Sequence, residues 1–216
     1  VPDSPSLRLS RVTFEAWVYP TNSASVEPVL AKEGPGGKQS YWFGVYQGHF
    51  GLQLNDGRDG WALTAIQSGT ITDNRWQHIA STWDGTTWRN YLNGQEVGSG
   101  TWTGPLVSSS APVTLGSNSL FNNLKFAGTI DEVRVWNVPR SQAEIQAGIQ
   151  RTLIGNEPGL VGYWRLDEGT ATTANDSSPQ GNRGTLGDGN PANQPTWVPS
   201  FAPIPETSEV TVRAED

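Results

Sequence analysis

The sequence predicts an all-β protein made of antiparallel strands packed as a two-layer sandwich, and two observations indicate it. Only 16% of the 216 residues are charged, while 25 Gly and 15 Pro supply turns and abundant Val, Ile and aromatic residues supply strands. The stretch 75–94 holds two β-forming runs separated by Asp84-Gly85 and closed by Asn93-Gly94, dipeptides that favour tight reversals. Because one strand pair is not stable alone, further strands must flank it.

Alternation of apolar and polar residues predicts the strands in chain order. In residues 12–19, Phe14, Ala16 and Val18 fall on one face and polar or amphipathic residues on the other. Turn residues separate the segments that follow. The other predicted strands are 28–31, 41–46, 50–54, 61–66, 76–83, 88–92, 113–115, 126–136 and 159–164.

One short helix is predicted near residues 141–151. Ser141 to Glu144 has the form of a capping box, and Ile145, Ile149 and Leu153 recur at fourth-residue spacing on one face. We expect this helix to lie against an edge or end of the sandwich. Near the C-terminus, residues 206–216 form a terminal strand, a linker or a disordered tail.

Composition excludes several classes of protein. A net charge of -7 and a pI near 4.8 argue against a nucleic-acid partner, which normally needs a basic face. The absence of Cys rules out disulfides and thiolate metal sites. No apolar run reaches the roughly 18 residues that span a bilayer, and the first residues lack a signal pattern. We therefore expect no nucleic-acid binding and no membrane insertion.

Acidic residues at two places are candidate metal ligands. The loop 55–60 (NDGRDG) places Asp56 and Asp59 at the end of a predicted hairpin, and hard cations such as calcium prefer such oxygen ligands. Asp-Gly is, however, also an ordinary turn dipeptide. Asp131 alternates onto the same face as two valines, so it lies either at the wet end of its strand or beside a partner such as Arg, backbone N–H groups or a cation.

Four segments together resemble the laminin G-like domains of the concanavalin A-like lectin and glucanase superfamily, in the bacterial branch related to pentraxins. They are VTFEAWVYP (12–20), RWQHIASTWDGTTWRNYLNGQEV (75–97), FAGTIDEVRVWNVPRSQAEI (126–145), and GLVGYWRLDEGTATTANDSSPQGNRGTL with PTWV (159–186, 195–198). The resemblance implies a jelly-roll sandwich of two curved antiparallel sheets. We predict one domain over residues 1–205, in which 159–198 completes the sandwich; the alternative is that 159–198 begins a second, truncated repeat.

The resemblance also implies a structural calcium ion. Arg58-Asp59-Gly60 is similar to the Arg-Asp-Asn calcium loop of pentraxins, with the Asn missing. A second calcium loop of those relatives is rich in carboxylates, whereas the loop 116–123 has no acid here. Asp131 matches an Asp that helps to hold calcium in related glucanases. Asp131 and Asp59 are therefore the expected metal ligands.

A catalytic role is not predicted. Retaining glucanases of this fold carry two Glu and an Asp alternating on one strand, which places two carboxylates roughly 5 Å apart. No stretch of this chain has that spacing, and Asp131 and Glu132 are expected on opposite faces of their strand. The two His residues, His49 and His78, have no spacing typical of zinc ligands.

Aromatic residues carry the binding hypothesis, because a two-sheet core does not easily bury ten Trp beside six Phe. Flat rings next to polar groups suit the apolar faces and hydroxyls of a sugar. Asn90, where relatives have an aliphatic residue, needs a partner if it points inward. The candidate ligand-binding residues are Trp42, Tyr46, Trp61, Tyr91 and Trp102, with Asp56 and Arg58 as polar neighbours.

The first hypothesis is a non-catalytic, lectin-like module that binds a polysaccharide or glycan and belongs to a larger secreted or cell-surface protein. The alternative is a structural or adhesive spacer that binds protein or no ligand. Binding to a panel of polysaccharides, with and without a chelator, separates the two hypotheses.

Overall fold

A computed structural model describes residues 1–34, 39–58, 60–118, 124–170 and 172–204. Within these ranges the chain forms thirteen strands, one α-helix (α1, Gln142–Gly148) and three short 3-10 helices. The strands are β1 Val12–Pro20, β2 Val26–Lys32, β3 Tyr41–Tyr46, β4 His49–Leu54, β5 Leu63–Ser68, β6 Gln77–Trp83, β7 Thr87–Leu92, β8 Gln95–Thr101, β9 Val113–Leu115, β10 Gly128–Trp136, β11 Leu160–Trp164, β12 Thr173–Ala174 and β13 Gly184–Thr185. The terminal segment 206–216 lies outside the described residues.

Two antiparallel sheets make up the sandwich, which confirms the predicted all-β jelly-roll architecture. The six-stranded sheet has the order β11-β10-β1-β6-β7-β8, and the five-stranded sheet has the order β5-β4-β3-β2-β9. Strands β12 and β13 pair in a small sheet of their own. Strand β11 is the outermost strand of the six-stranded sheet beside β10. Strand β5 begins at Leu63, so Trp61, predicted as its first residue, precedes it.

The main core lies between the two sheets. Phe14, Ala16 and Val18 of β1 are fully buried in it, as the alternation predicts. The ring of Phe14 lies 5.0 Å from that of Tyr41 and 5.8 Å from that of Phe43, measured between centroids, so rings from both sheets interlock. Burial of this apolar surface is the main force that holds the sheets together.

A single amide links the two sheets inside the core. Asn90 of β7 is fully buried; its Oδ1 accepts a hydrogen bond from Ser81 Oγ at 2.7 Å, and its Nδ2 donates to the Ala65 carbonyl at 2.5 Å. Ala65 belongs to β5, beside the point where the register between β4 and β5 shifts. The inward polar side chain therefore has the partners that a buried amide requires.

We expect Asn90→Ala to lower the free energy of unfolding by about 2 kcal/mol, because it leaves a buried hydroxyl and a buried carbonyl without partners. Urea denaturation measures the loss. Asn175→Ala, on an exposed asparagine, is the matched control and should change stability by less than about 0.5 kcal/mol. Equal stability of the two variants would contradict a bridging role for Asn90.

Helix α1 covers part of the outer face of the six-stranded sheet, so the prediction that it lies at an edge or end is wrong. Its capping box is confirmed, with Ser141 and Glu144 bonded to each other's backbone amides. Ile145 packs on Ala80 and Tyr91, and the Trp17 indole donates to the carbonyl of Ile149 at 2.9 Å. Among the described residues, no helix combines the length and the apolar character that crossing a bilayer requires.

Candidate functional site

The outer face of the five-stranded sheet carries a row of aromatic and uncharged polar side chains. Trp42 pairs with Gln53, and Gln53 pairs with Thr64, so the three share one face of neighbouring strands. They alternate with residues of the main core, such as Phe43 and Leu52. Of the two aromatic sets that alternate along β3, the set with Trp42 and Tyr46 therefore lies outside the main core.

Trp42 nevertheless does not face solvent. It forms a second, smaller apolar cluster with Ala31 and Ile66, over which Tyr46 and Trp61 pack as half-buried rings. Its exposed fraction is only 2%, and a Cβ added at Gly44 would lie 2.9 Å from its indole. Neighbouring side chains thus cover the Trp42 ring, and a ligand contact by this residue stays a prediction. Tyr46 and Trp61 remain the accessible rings of this cluster.

A groove of about 470 Å³ contacts the edge strand β5 next to this cluster. None of its lining residues carries a charge. They are Tyr46, Gln53, Thr64, Ala65, Ile66, Gln67, Ser68 and Trp88. Two aromatic rings, two carboxamides and two hydroxyls therefore share one concave surface, a combination typical of sites for uncharged polar ligands.

Trp88 of β7 is the site residue that the sequence prediction missed. A Cβ at Gly100 would lie 2.8 Å from its indole, and one at Gly98 would lie 3.7 Å from it, so the ring rests over two glycines of the edge strand β8. Gly98 and Gly100, at alternate positions after the Asn93-Gly94 reversal, were the available signal, because a glycine inside a strand often marks a close approach by another group.

Tyr91 and Trp102, two of the candidate ligand-binding rings, do not line this groove. Tyr91 follows the inward Asn90 on β7, and alternation turns it to the outer face of the other sheet, where it is buried beneath Ile145 of α1. Trp102 packs on Trp83 with ring centroids 5.0 Å apart, against the main core.

The loop between β4 and β5 is organised by Asn55. This buried residue accepts a hydrogen bond from the Gly57 amide and donates one to the Gly60 carbonyl, both at 2.6 Å. Asp56 accepts the Arg58 amide at 3.1 Å, and the exposed Arg58 guanidinium lies 3.7 Å from the same carboxylate. Neither side chain lines the groove. Asp59 lies outside the described residues.

Asp131 lies on the helix-bearing face, and its predicted position beside the valines is wrong. Glu132 has a φ of +52°, and the register between β1 and β10 shifts here, so a β-bulge reverses the alternation. Asp131 lies opposite Trp17, a residue on the outer face of the six-stranded sheet, so Asp131 is on that face too. Glu132 also points outward, where it accepts a hydrogen bond from Arg134. The predicted opposite orientation of Asp131 and Glu132 is wrong for the same reason.

The surroundings of Asp131 give a limited set of donors for calcium. One oxygen accepts the Glu132 amide at 2.8 Å and the other accepts the Ser200 hydroxyl. Burial raises its pKa to about 6, against the hydrogen bond from Ser200. The described part of the chain holds no group of three or more His, Cys, Asp or Glu side chains that could bind a metal. Calcium at Asp131 stays a prediction.

A network of buried charges lies between the six-stranded sheet and the region of α1. The fully buried Glu15 accepts a hydrogen bond from Arg140 Nη1 at 2.8 Å and lies 3.5 Å from His78 Nε2 and 4.0 Å from Arg134 Nη1. Burial raises the pKa of Glu15, but the hydrogen bond and charge of His78, together with the charges of Arg134 and Arg140, outweigh this and hold the pKa at about 2. Burial lowers the pKa of His78. This cluster belongs to the six-stranded sheet, whereas the groove lies along β5 of the other sheet.

The laminin G family model, described as the concanavalin A-like lectin/glucanases superfamily, matches residues 1–146. The chain belongs to this superfamily. The family prediction made from the four sequence segments is thereby confirmed. Mouse pappalysin-1 is 32% identical over 81 residues, a match that covers 35% of the chain and 5% of pappalysin-1.

Solved structures share the fold of this superfamily member at low sequence identity. A candidate carbohydrate-binding protein from Bacteroides ovatus matches with a TM-score of 0.63 and 20% identity, over 85% of the chain and 53% of that protein. Domain 4 of AbnA, an extracellular arabinanase from Geobacillus stearothermophilus in complex with arabinotriose, gives 0.53 and 22%, over 68% and 69%. The CBM40 of a Ruminococcus gnavus sialidase, bound to sialyllactose, gives 0.51 and 15%, over 67% and 90%. The chain thus spans about half the length of the first of these.

Proposed function

We propose that the chain is a non-catalytic carbohydrate-binding module, with the saccharide held in the groove along β5. The observation that carries the proposal is the meeting of Tyr46 and Trp88 with Gln53, Thr64 and Gln67 on one uncharged concave surface. Aromatic faces stack on the apolar faces of sugar rings, and amides and hydroxyls bond to sugar hydroxyls. Trp61, the other half-buried ring packed on the Trp42 cluster, is a further candidate for contact with a longer saccharide.

The lining favours a neutral saccharide over an acidic one. A sugar carboxylate bound here would find no basic side chain among the lining residues, and an unpaired carboxylate is costly to desolvate. The net charge of -7 also repels acidic polymers. Of the two saccharides present in the similar structures, arabinotriose is the uncharged one and therefore the better guide to ligand chemistry.

Binding rather than hydrolysis fits this groove, because its lining contains no Asp or Glu and glycosidases normally use two carboxylates. We place the chain in a larger secreted or cell-surface protein, where such a module would keep its parent on a polysaccharide. A protein partner, and a direct ligand contact by Trp42, Tyr91, Trp102, Asp56 or Arg58, remain further predictions from the sequence.

The test is retention on a panel of neutral polysaccharides, including arabinan, xylan, mannan and β-glucans, followed by titration with the best oligosaccharide. We expect Trp88→Ala to weaken binding at least about tenfold, which corresponds to about 1.4 kcal/mol of lost stacking and contact. Phe201→Ala is the matched control, since Phe201 is 81% exposed and does not line the groove.

Gly100→Val is a second variant, because its side chain would push the Trp88 indole out of place while leaving every lining residue unchanged. It should weaken binding as Trp88→Ala does. Retention on no neutral glycan would remove the proposal and favour the structural or adhesive spacer. Full binding by both variants would remove this groove as the site.

A further inference from the structure

A second cleft, of about 330 Å³, lies where the β1–β2 loop, the β3–β4 turn and the segment before β10 meet. It shares no lining residue with the groove along β5. Its lining residues are Asn22, Ala24, Ser25, Val26, Glu27, Gln47, Leu124, Lys125 and Ala127.

Glu27 is the unusual member of this lining. It is 1% exposed, and neither of its carboxylate oxygens accepts a hydrogen bond of normal geometry from a described residue. The described basic residues form no ion pair with it, although the exposed Lys125 lines the same cleft. A buried ionised carboxylate without a partner is unstable, so Glu27 must take up either a proton or a cation.

Three uncharged polar residues line the cleft with Glu27. Asn22, Ser25 and Gln47 each carry a side-chain oxygen, and Ser25 Oγ accepts a hydrogen bond from Asn22 Nδ2 at 3.0 Å. The pKa of Glu27 is raised to about 7, chiefly by burial; the Ala127 amide lowers it and the nearby Asp73 carboxylate adds a smaller upward shift. Asp73 itself accepts the Ser23 amide at 2.7 Å, which keeps that carboxylate in place. Two carboxylates that repel one another beside several neutral oxygens form an environment that a hard cation stabilises.

We propose that this cleft binds a calcium ion, with Glu27 as its anionic ligand and Asn22, Ser25 and Gln47 as further sources of oxygen. Calcium suits irregular loop donors better than magnesium, which demands near-ideal octahedral geometry, and no His lines the cleft to favour a transition metal. Because the described residues gather no group of three acidic or His ligands, the affinity belongs to the weak class of extracellular modules, with a Kd of about 10⁻⁴ to 10⁻³ M. The cleft does not include Asp131, and the proposal does not depend on saccharide binding, because the cleft shares no lining residue with the groove along β5.

The test is thermal unfolding of the full chain at pH 8 in EDTA, in 10 mM CaCl₂ and in 10 mM MgCl₂. The wild-type chain and Asp131→Asn should both gain about 3–5 °C in Tm with calcium and less with magnesium. Glu27→Gln should gain nothing. Its Tm in EDTA should be at least that of the wild-type chain, which shows that the variant folds and that the lost response is not a lost structure.

Two results would overturn the proposal. The first is a wild-type Tm that calcium leaves unchanged. The second is a calcium response that persists in Glu27→Gln; if Asp131→Asn then abolishes it, the ion belongs to Asp131.

Discussion

Replacing Glu15 by Gln should lower the free energy of unfolding by about 3–5 kcal/mol, because it leaves buried cations without their shared anion. The amide keeps the shape of the side chain but removes the charge that Arg140 contacts at 2.8 Å and Arg134 at 4.0 Å. Burial lowers the pKa of the adjacent His78, so at neutral pH the two guanidinium groups carry most of the attraction. Arg134 would retain Glu132 at 2.5 Å, whereas the Arg140 guanidinium would keep, among the described residues, its stacking on Trp136 and its hydrogen bond to the Glu144 carbonyl.

Urea denaturation at pH 7 measures the loss in free energy of unfolding. Thermal unfolding should show the same loss as a Tm lower by about 10 °C in a chain of this length. Glu96→Gln is the matched control: Glu96 pairs with Arg89 at 2.9 Å on the exposed edge strand, and such pairs contribute at most about 1 kcal/mol. If Glu15→Gln costs no more than Glu96→Gln, the buried cluster does not stabilise the fold and Glu15 is free for another role.

Local patterns predicted the elements of the fold because each element buries one face. Phe14, Ala16 and Val18 alternate into the core, and Ser141 with Glu144 caps the helix by contacts within one turn. Such signals depend only on neighbours in the sequence. The superfamily was predicted from a different signal, the resemblance of four sequence segments, in their order along the chain, to laminin G-like domains.

The orientation and exposure of side chains in the candidate sites depend on contacts between segments that are distant in the sequence. The alternation of residues along one strand does not reveal these contacts. The positive φ of Glu132 reverses the alternation of β10 and sends Asp131 to the outer face. Side chains from other segments pack around the Trp42 ring. The Trp88 indole fits over β8 because glycines there leave room for it. The sequence therefore shows that the chain has many aromatic side chains. It does not show which of their rings are buried under neighbours and which are accessible to a ligand.

The stability of the metal-free chain should fall as the pH rises through 7, and Glu27 should be a main cause. Burial raises the pKa of Glu27 from 4.5 to about 7 in the folded chain. The folded state therefore binds more protons than the unfolded state between these values, and the free energy of unfolding decreases with pH across that window. The difference corresponds to about 3 kcal/mol, fully present below pH 4.5 and lost above pH 7. Glu33, whose pKa burial also raises to about 7, acts in the same direction.

Urea denaturation at pH 5.5 and pH 8.5 in EDTA tests this prediction. The wild-type chain should be less stable at pH 8.5, and Glu27→Gln should remove about 2 kcal/mol of that difference by being more stable than the wild-type chain at the higher pH. Glu96→Gln again serves as the exposed control and should leave the difference unchanged. A wild-type chain that is equally stable at both values, or a Glu27→Gln variant that loses stability at pH 8.5, would contradict the unpaired state of Glu27.

The same carboxylate connects this proton equilibrium with the proposed cation. A metal ion binds the ionised form, so saturating calcium should reduce the loss of stability at pH 8.5 in the wild-type chain while leaving Glu27→Gln unaffected. Proton and calcium would then compete for one group, and the apparent affinity for calcium should weaken as the pH falls below 7. A calcium effect of equal size at pH 5.5 and pH 8.5 would separate the two equilibria and remove Glu27 as the ligand.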